Sequence, residues 1–146
     1  MIRKAEEKDR DAFLSMAQEF YDSPAVLDPV PIARHMATFD EMMRSDVYLK
    51  GFIFEVDGEI AGYATLNITF GHQCGGRIVW IEDLYVKAEY RSKGIGKAFF
   101  DFVHRTEPAE RYRLEVEPEN ERAIALYESI GYRYLGYNQY ILENWR

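Results

Sequence analysis

Apolar positions change their spacing along the chain, and each change predicts an element. Phe13, Met16, Ala17, Phe20 and Tyr21 recur at helical spacing, which predicts a first helix over residues 8–22, stopped by Ser23-Pro24. After Asp28-Pro29-Val30-Pro31, the positions Ile32, Met36, Phe39 and Met43 predict a second helix, with Pro31 tolerated in its first turn. Strand chemistry follows. Residues 51–56 and 60–70 are rich in β-branched and aromatic side chains and flank Asp57-Gly58-Glu59, a hairpin signal because Asp-Gly accommodates positive φ. A loop over residues 71–76 leads to another strand, 77–86. A Gly-containing turn then opens a helix over 94–106, with Ile95, Ala98, Phe99, Phe102 and Val103 on one face and Pro108 beyond its end. Residues 113–116 predict a strand, and 120–130 a helix capped by Asn120 and ended by Gly131. Short strands are expected at residues 2–5, 132–135 and 139–142. The order βααβββαβαββ predicts an α+β fold, a mixed sheet covered by helices in a single domain spanning residues 1–146.

Composition narrows the class. Apolar residues are 47% and charged residues 29% of 146, a globular mixture that excludes a disordered or fibrous chain. No apolar run approaches the ~20 residues of a membrane span, and the first residues carry no apolar segment behind their charges, so neither membrane nor signal peptide is expected. The single cysteine, Cys74, excludes an internal disulfide and suits a reducing cytoplasm. Eighteen basic and 25 acidic residues give a net charge of −7, which argues against a nucleic-acid partner. The charge is uneven. Lys87, Arg91, Lys93 and Lys97 stand against Glu89 alone, whereas residues 40–59 hold six acids against Arg44 and Lys50. A basic spot on an acidic chain suits an anionic ligand of limited size, and the acidic remainder suits a cationic second ligand as readily as plain solvation.

The most specific segment is Arg91-Ser92-Lys93-Gly94-Ile95-Gly96-Lys97-Ala98, between a predicted strand and a predicted helix. Its glycines let backbone approach a ligand, and the helix start offers N–H groups at a positive dipole end, so the segment reads as a phosphate cradle. A Walker loop fails, because Arg91 stands at the first glycine position and Ala98 at the Ser/Thr position. A Rossmann fingerprint fails at Phe99, where its third glycine belongs.

The segment resembles the signature of the GNAT N-acetyltransferases, Arg/Gln-x-x-Gly-x-Gly/Ala, at Arg91, Gly94 and Gly96. The preceding apolar strand Ile81-Glu82-Asp83-Leu84-Tyr85-Val86 is similar to the family's as well, as is a second element running from Val116 through Asn120, Ala123, Leu126, Tyr127 and Glu128 to Gly131-Tyr132. The resemblance covers nearly the whole chain and implies a splayed sheet and acetyl-coenzyme A as cosubstrate, without a metal. It implies that backbone N–H groups from Arg91 to Lys97 hold the pyrophosphate, and that Leu84, Tyr85 and Val86 pair with the pantetheine arm along an open strand edge. Asn120 would reach the pantetheine in the family's manner, a role compatible with that of helix N-cap.

Two residues are candidates for the chemistry. Tyr127 lies on an apolar stripe with Ala123, Ile124 and Ile130, which by itself reads as core. The resemblance implies instead a general acid that protonates the departing thiolate. Glu82 and Asp83 are adjacent carboxylates in an apolar strand, and strict alternation sends them to opposite faces, so that one of them meets the acceptor amine. The Ile-Glu-Asp-Leu pattern resembles the polyamine N-acetyltransferase branch, which implies Glu82 as the base. The base of histone-acetylating members falls two positions earlier, at Trp80, against a histone-type assignment.

His72 and Cys74 are too few for a zinc site, and Cys74 reads as a plain loop thiol. His35, His104, Met36, Met42 and Met43 read as surface or packing residues of helices. Taken together the residues imply a cytoplasmic, acetyl-CoA-dependent N-acetyltransferase. Its partner is a small-molecule amine, cationic in the manner of a polyamine or amino sugar, with a homodimer as a compatible assembly. Protein or peptide acetylation and a non-catalytic coenzyme A sensor are the alternatives.

Overall fold

The computed structural model describes residues 1–144. They divide into two compact units, one from Met1 to Glu115 and a second that begins at Val116. The first unit is built on a five-stranded sheet in the order β1-β2-β3-β4-β5, formed by Ile2–Lys4, Leu49–Val56, Glu59–Gly71, Gly76–Val86 and Arg111–Leu114. Neighbours from β1 to β4 are antiparallel, and β5 lies parallel to β4. A parallel pair needs a long crossover. Here α3, Ile95–Thr106, supplies it.

Alternation on the strands sorts the core into two layers. Ile53, Tyr63 and Tyr85 are buried against Phe13, Met16 and Ala17 of α1 (Arg10–Tyr21) and Phe39 and Met42 of α2 (Ile32–Arg44). On the opposite face Phe52 and Phe54 pack on Phe99 of α3, with ring centroids 5.9 and 5.3 Å apart. Each fully buried aromatic contributes roughly 1.5–3 kcal/mol, so these layers fix the sheet's faces and register. Asp57-Gly58 forms the β2–β3 turn with both φ positive, as the sequence predicts. Gly62 is required for a different reason: a Cβ there would meet the Tyr85 carbonyl oxygen at 2.2 Å.

α2 departs from its predicted face. His35, Phe39 and Met42 are its buried positions, while Ile32 and Met36 are exposed, so the stripe is rotated from the predicted one. The tertiary contact with α1 selected among overlapping apolar rows.

The second unit holds α4, Glu121–Ser129, ended by Gly131 at φ +100°. The two strands expected at 132–135 and 139–142 do not form among the described residues. Tyr134, Tyr140, Ile141 and Leu142 are exposed there instead. Strand propensity reports how a side chain fits a half-buried pleated surface, and without a paired neighbour it fixes nothing. Among the described residues no helix is long and apolar enough to cross a membrane.

Candidate active site

β5 pairs with β4 only from Ile78 to Ile81. Beyond Ile81, the strand continues to Val86 with β3 on one side and, among the described residues, no ladder partner on the other. This half-open strand carries Glu82, Asp83, Leu84, Tyr85 and Val86, and it runs directly towards the predicted cradle. The open edge is the splay that the resemblance implies.

Residues 91–94 and Lys97 are exposed, with Ile95 and Gly96 half-buried at the start of α3. Ser92 and Gly94 have φ of +62° and +80°, and the left-handed Gly94 turns the chain into the helix. The first-turn N–H groups of a helix have no intrahelical acceptor. Those of α3 are therefore presented at a basic, solvent-facing turn. Among the described residues, a Cβ at Gly96 would meet Leu84 Cδ2 at 3.9 Å, an ordinary contact that leaves room for a ligand to approach the backbone. Arg91 donates from Nε to the Val86 carbonyl at 2.8 Å, tying the turn to the end of β4. Its guanidinium also lies 5.8 Å from the Tyr85 ring centroid. These features suit an extended, multiply anionic ligand whose arm lies along a strand edge.

The carboxylate pair is arranged differently from the expectation of opposite faces. Opposite β3, the register steps from Thr65↔Asp83 to Leu66↔Ile81, leaving Glu82 as the extra residue of a β-bulge. Asn67 donates its amide to Glu82 Oε2 at 3.0 Å, and Tyr63 donates its hydroxyl to Asp83 Oδ2 at 2.9 Å. Tyr63 and Asn67 are four apart on β3 and so share a face. The bulge thus brings both carboxylates to the side of the sheet that carries α1 and α2. Trp80, paired with Asn67, belongs to that face too, with the Arg113 guanidinium 4.3 Å from its ring centroid.

The two carboxylates differ in surroundings. Asp83 is buried and accepts the hydroxyls of Tyr21, at 2.7 Å, and Tyr63, while its own N–H is satisfied by Thr65 Oγ1 at 3.1 Å. Burial raises its pKa and the two phenols draw it back down. Glu82 has an exposed surface, yet its carboxyl sits among enough protein that desolvation raises its pKa, with the charges of Asp83 and Glu115 adding to the effect. A carboxylate with raised proton affinity at an accessible strand bulge can accept a proton from an incoming amine.

Asn120 and Tyr127 lie in the second unit. Asn120 caps α4, its side-chain oxygen accepting from the Ala123 N–H at 3.2 Å, which leaves its amide as a donor. Tyr127 is half-buried, with its ring centroid 6.5 Å from that of Tyr132, and burial raises its phenol pKa. His35 is buried and packs edge-on against Tyr21. Cys74 lies near the Gly71 and Gly76 carbonyls in the β3–β4 turn. Among the described residues no three His, Cys, Asp or Glu side chains gather in a metal-binding group. Sequence reasoning missed Tyr21, Tyr63, Thr65 and Asn67, the partners of the carboxylate pair. The one signal that pointed to them was the pair itself, since a buried carboxylate requires donors.

Comparison with known proteins gives a consistent result. Residues 12–132 match the Acetyltransferase (GNAT) family. The chain is 30% identical over 141 residues to thialysine N-epsilon-acetyltransferase of Bos taurus, covering 90% of this chain and 82% of that protein. It is also 30% identical over 134 residues to glucosamine 6-phosphate N-acetyltransferase of Trypanosoma brucei brucei, covering 90% and 88%. Among solved structures, an aminoglycoside N-acetyltransferase in complex with CoA shares the fold, with a TM-score of 0.76, 20% identity, and coverage of 100% of this chain and 94% of that one. The half-open strand, the left-handed turn into α3 and these likenesses agree: the chain belongs to the GNAT acetyltransferase family and is an N-acetyltransferase.

Proposed function

We propose that the protein transfers the acetyl group of acetyl-CoA directly to a primary amine of a small cationic molecule. In this proposal residues 1–146 act as one acetyltransferase domain, at work in the cytoplasm. The observation that carries it is Glu82, an accessible carboxylate with raised proton affinity on the bulge of the half-open strand. The matched small-amine acetyltransferases support the substrate class.

Acetyl-CoA supplies an activated acetyl group as a thioester. N–H groups at the start of α3 hold its pyrophosphate, with Arg91, Lys93 and Lys97 adding charge. The free edge from Leu84 to Val86 aligns the pantetheine amides, and Asn120 offers its amide to the same arm. Because the Val86 carbonyl already accepts from Arg91, the pairing is carried by the remaining groups of that edge. Glu82 takes one ammonium proton, the freed nitrogen attacks the thioester carbonyl to form the C–N bond, and as the C–S bond then breaks the acylated nitrogen sheds its second proton to solvent. Edge N–H groups near Leu84 stabilise the developing oxyanion. Tyr127 then gives its proton to the departing thiolate.

A panel of amines assayed for thiol release tests the reading. Release is expected with small di- or polyamines, lysine-like amines or amino sugars. Turnover confined to peptide or protein amines, or none with any amine despite tight acetyl-CoA binding, would overturn it.

A further inference from the structure

Asp83 has no evident place in the reaction just described, yet its carboxylate is buried and held by two phenols. Burying a carboxylate is costly unless donors surround it. Both its oxygens are taken, one by Tyr21 at the C-terminal end of α1 and the other by Tyr63 of β3. Its N–H is taken by Thr65. These three bonds meet at the residue that follows the bulged Glu82. Asp83 is buried beneath these donors whereas Glu82 is exposed, so Glu82 is the carboxylate of the pair that a substrate ammonium reaches first.

We propose that Asp83 is a positioning residue: clamped by Tyr21 and Tyr63, it pins the β4 bulge that turns Glu82 onto the α1–α2 face and fixes the negative charge beside it. Without the bulge, strict alternation would place adjacent residues on opposite faces and separate the two carboxylates. Bulges re-aim side chains next to active sites, and this one is stapled from both directions. Among the described residues, three groups act on the Glu82 carboxyl. β3 contributes the neutral amide of Asn67, β4 contributes Asp83, and the residue after β5 contributes Glu115. From α1, Tyr21 reaches Asp83 rather than Glu82. The Arg113 guanidinium is engaged over Trp80. Like charge nearby favours the protonated form of a carboxyl, so Asp83 and Glu115 both raise the proton affinity of Glu82.

The inference rests on Glu82 acting as the base, and the experiment separates the two. The pH dependence of kcat/KM for the amine is measured for the wild type, Glu82→Gln and Asp83→Asn, alongside KM for acetyl-CoA. Glu82→Gln should abolish the limb set by Glu82 and leave only the rise that follows the amine's own deprotonation at higher pH. Asp83→Asn keeps the shape and removes the charge, so the limb should move to lower pH while KM for acetyl-CoA is unchanged. A limb that survives Glu82→Gln at its wild-type pH overturns the base reading and this inference with it. A limb removed by Glu82→Gln but left in place by Asp83→Asn overturns this inference alone. Should Asp83→Asn not fold, Tyr21→Phe carries the test, because it loosens the clamp and leaves the carboxylate its bond to Tyr63. Its kcat should fall about tenfold, the size of effect seen between coupled neighbours, with KM for acetyl-CoA retained. Full kcat in Tyr21→Phe overturns the clamp.

Discussion

Tyr127 combines a ring that packs and a hydroxyl that can give up a proton, and one substitution separates the two. Tyr127→Phe keeps the ring beside Tyr132 and removes the hydroxyl alone. Its fold and acetyl-CoA affinity should survive while kcat falls by about 10²–10⁴, the contribution of a positioned general acid. Steady-state turnover with melting temperature as the fold control measures this. Wild-type kcat would return Tyr127 to the apolar stripe on which the periodicity alone places it. The carboxylate pair makes a related point at this scale. That one of two adjacent acids should be unusual was legible in the sequence, because a charge in an apolar strand needs an explanation. Which face each occupies was not. A single extra residue in β4 reversed the expected alternation, and nothing in Ile81-Glu82-Asp83-Leu84 marks a bulge.

Elements were readable where local chemistry decides them. α1, α3, α4 and the β2–β3 hairpin stand within a few residues of their predicted limits, since caps, glycines and apolar spacing act inside each segment. The α2 face and the strands expected after residue 131 were not, because both depend on which partner surface meets them. The turn into α3 belongs to the readable class and lends itself to a clean test. A side chain at Gly96 fits the folded protein, its nearest foreign atom being Leu84 Cδ2 at 3.9 Å. An aspartate in the first helical turn also interacts favourably with the helix dipole. Gly96→Asp should therefore fold normally while placing bulk and negative charge in the proposed pyrophosphate cradle. Acetyl-CoA should raise the melting temperature of the wild type, as any ligand selective for the native state does. It should leave that of Gly96→Asp unmoved, and an undiminished shift in the variant would remove the cradle from the cofactor site.

Over the whole molecule, charge would treat the two proposed substrates differently. Arg91, Lys93 and Lys97 are exposed at one turn of a chain whose net charge is −7. An anionic cosubstrate meets a local positive spot within an unfavourable far field, whereas a cationic acceptor is favoured at long range. Glu82, Asp83 and Glu115 extend that negative field to the open strand itself. Steering of this kind fades as salt shortens the Debye length, about 10 Å at 0.1 M and about 3 Å at 1 M. KM for a diamine should therefore rise with ionic strength more steeply than KM for a weakly basic amine that is neutral at the assay pH. Both acceptors need the same attack on the same thioester, so their ratio cancels any effect of salt on acetyl-CoA binding or on the fold. Parallel salt dependences would mean that the acidity of the chain serves solvation alone, and the acceptor would then have to be sought among amines recognised by shape rather than by charge.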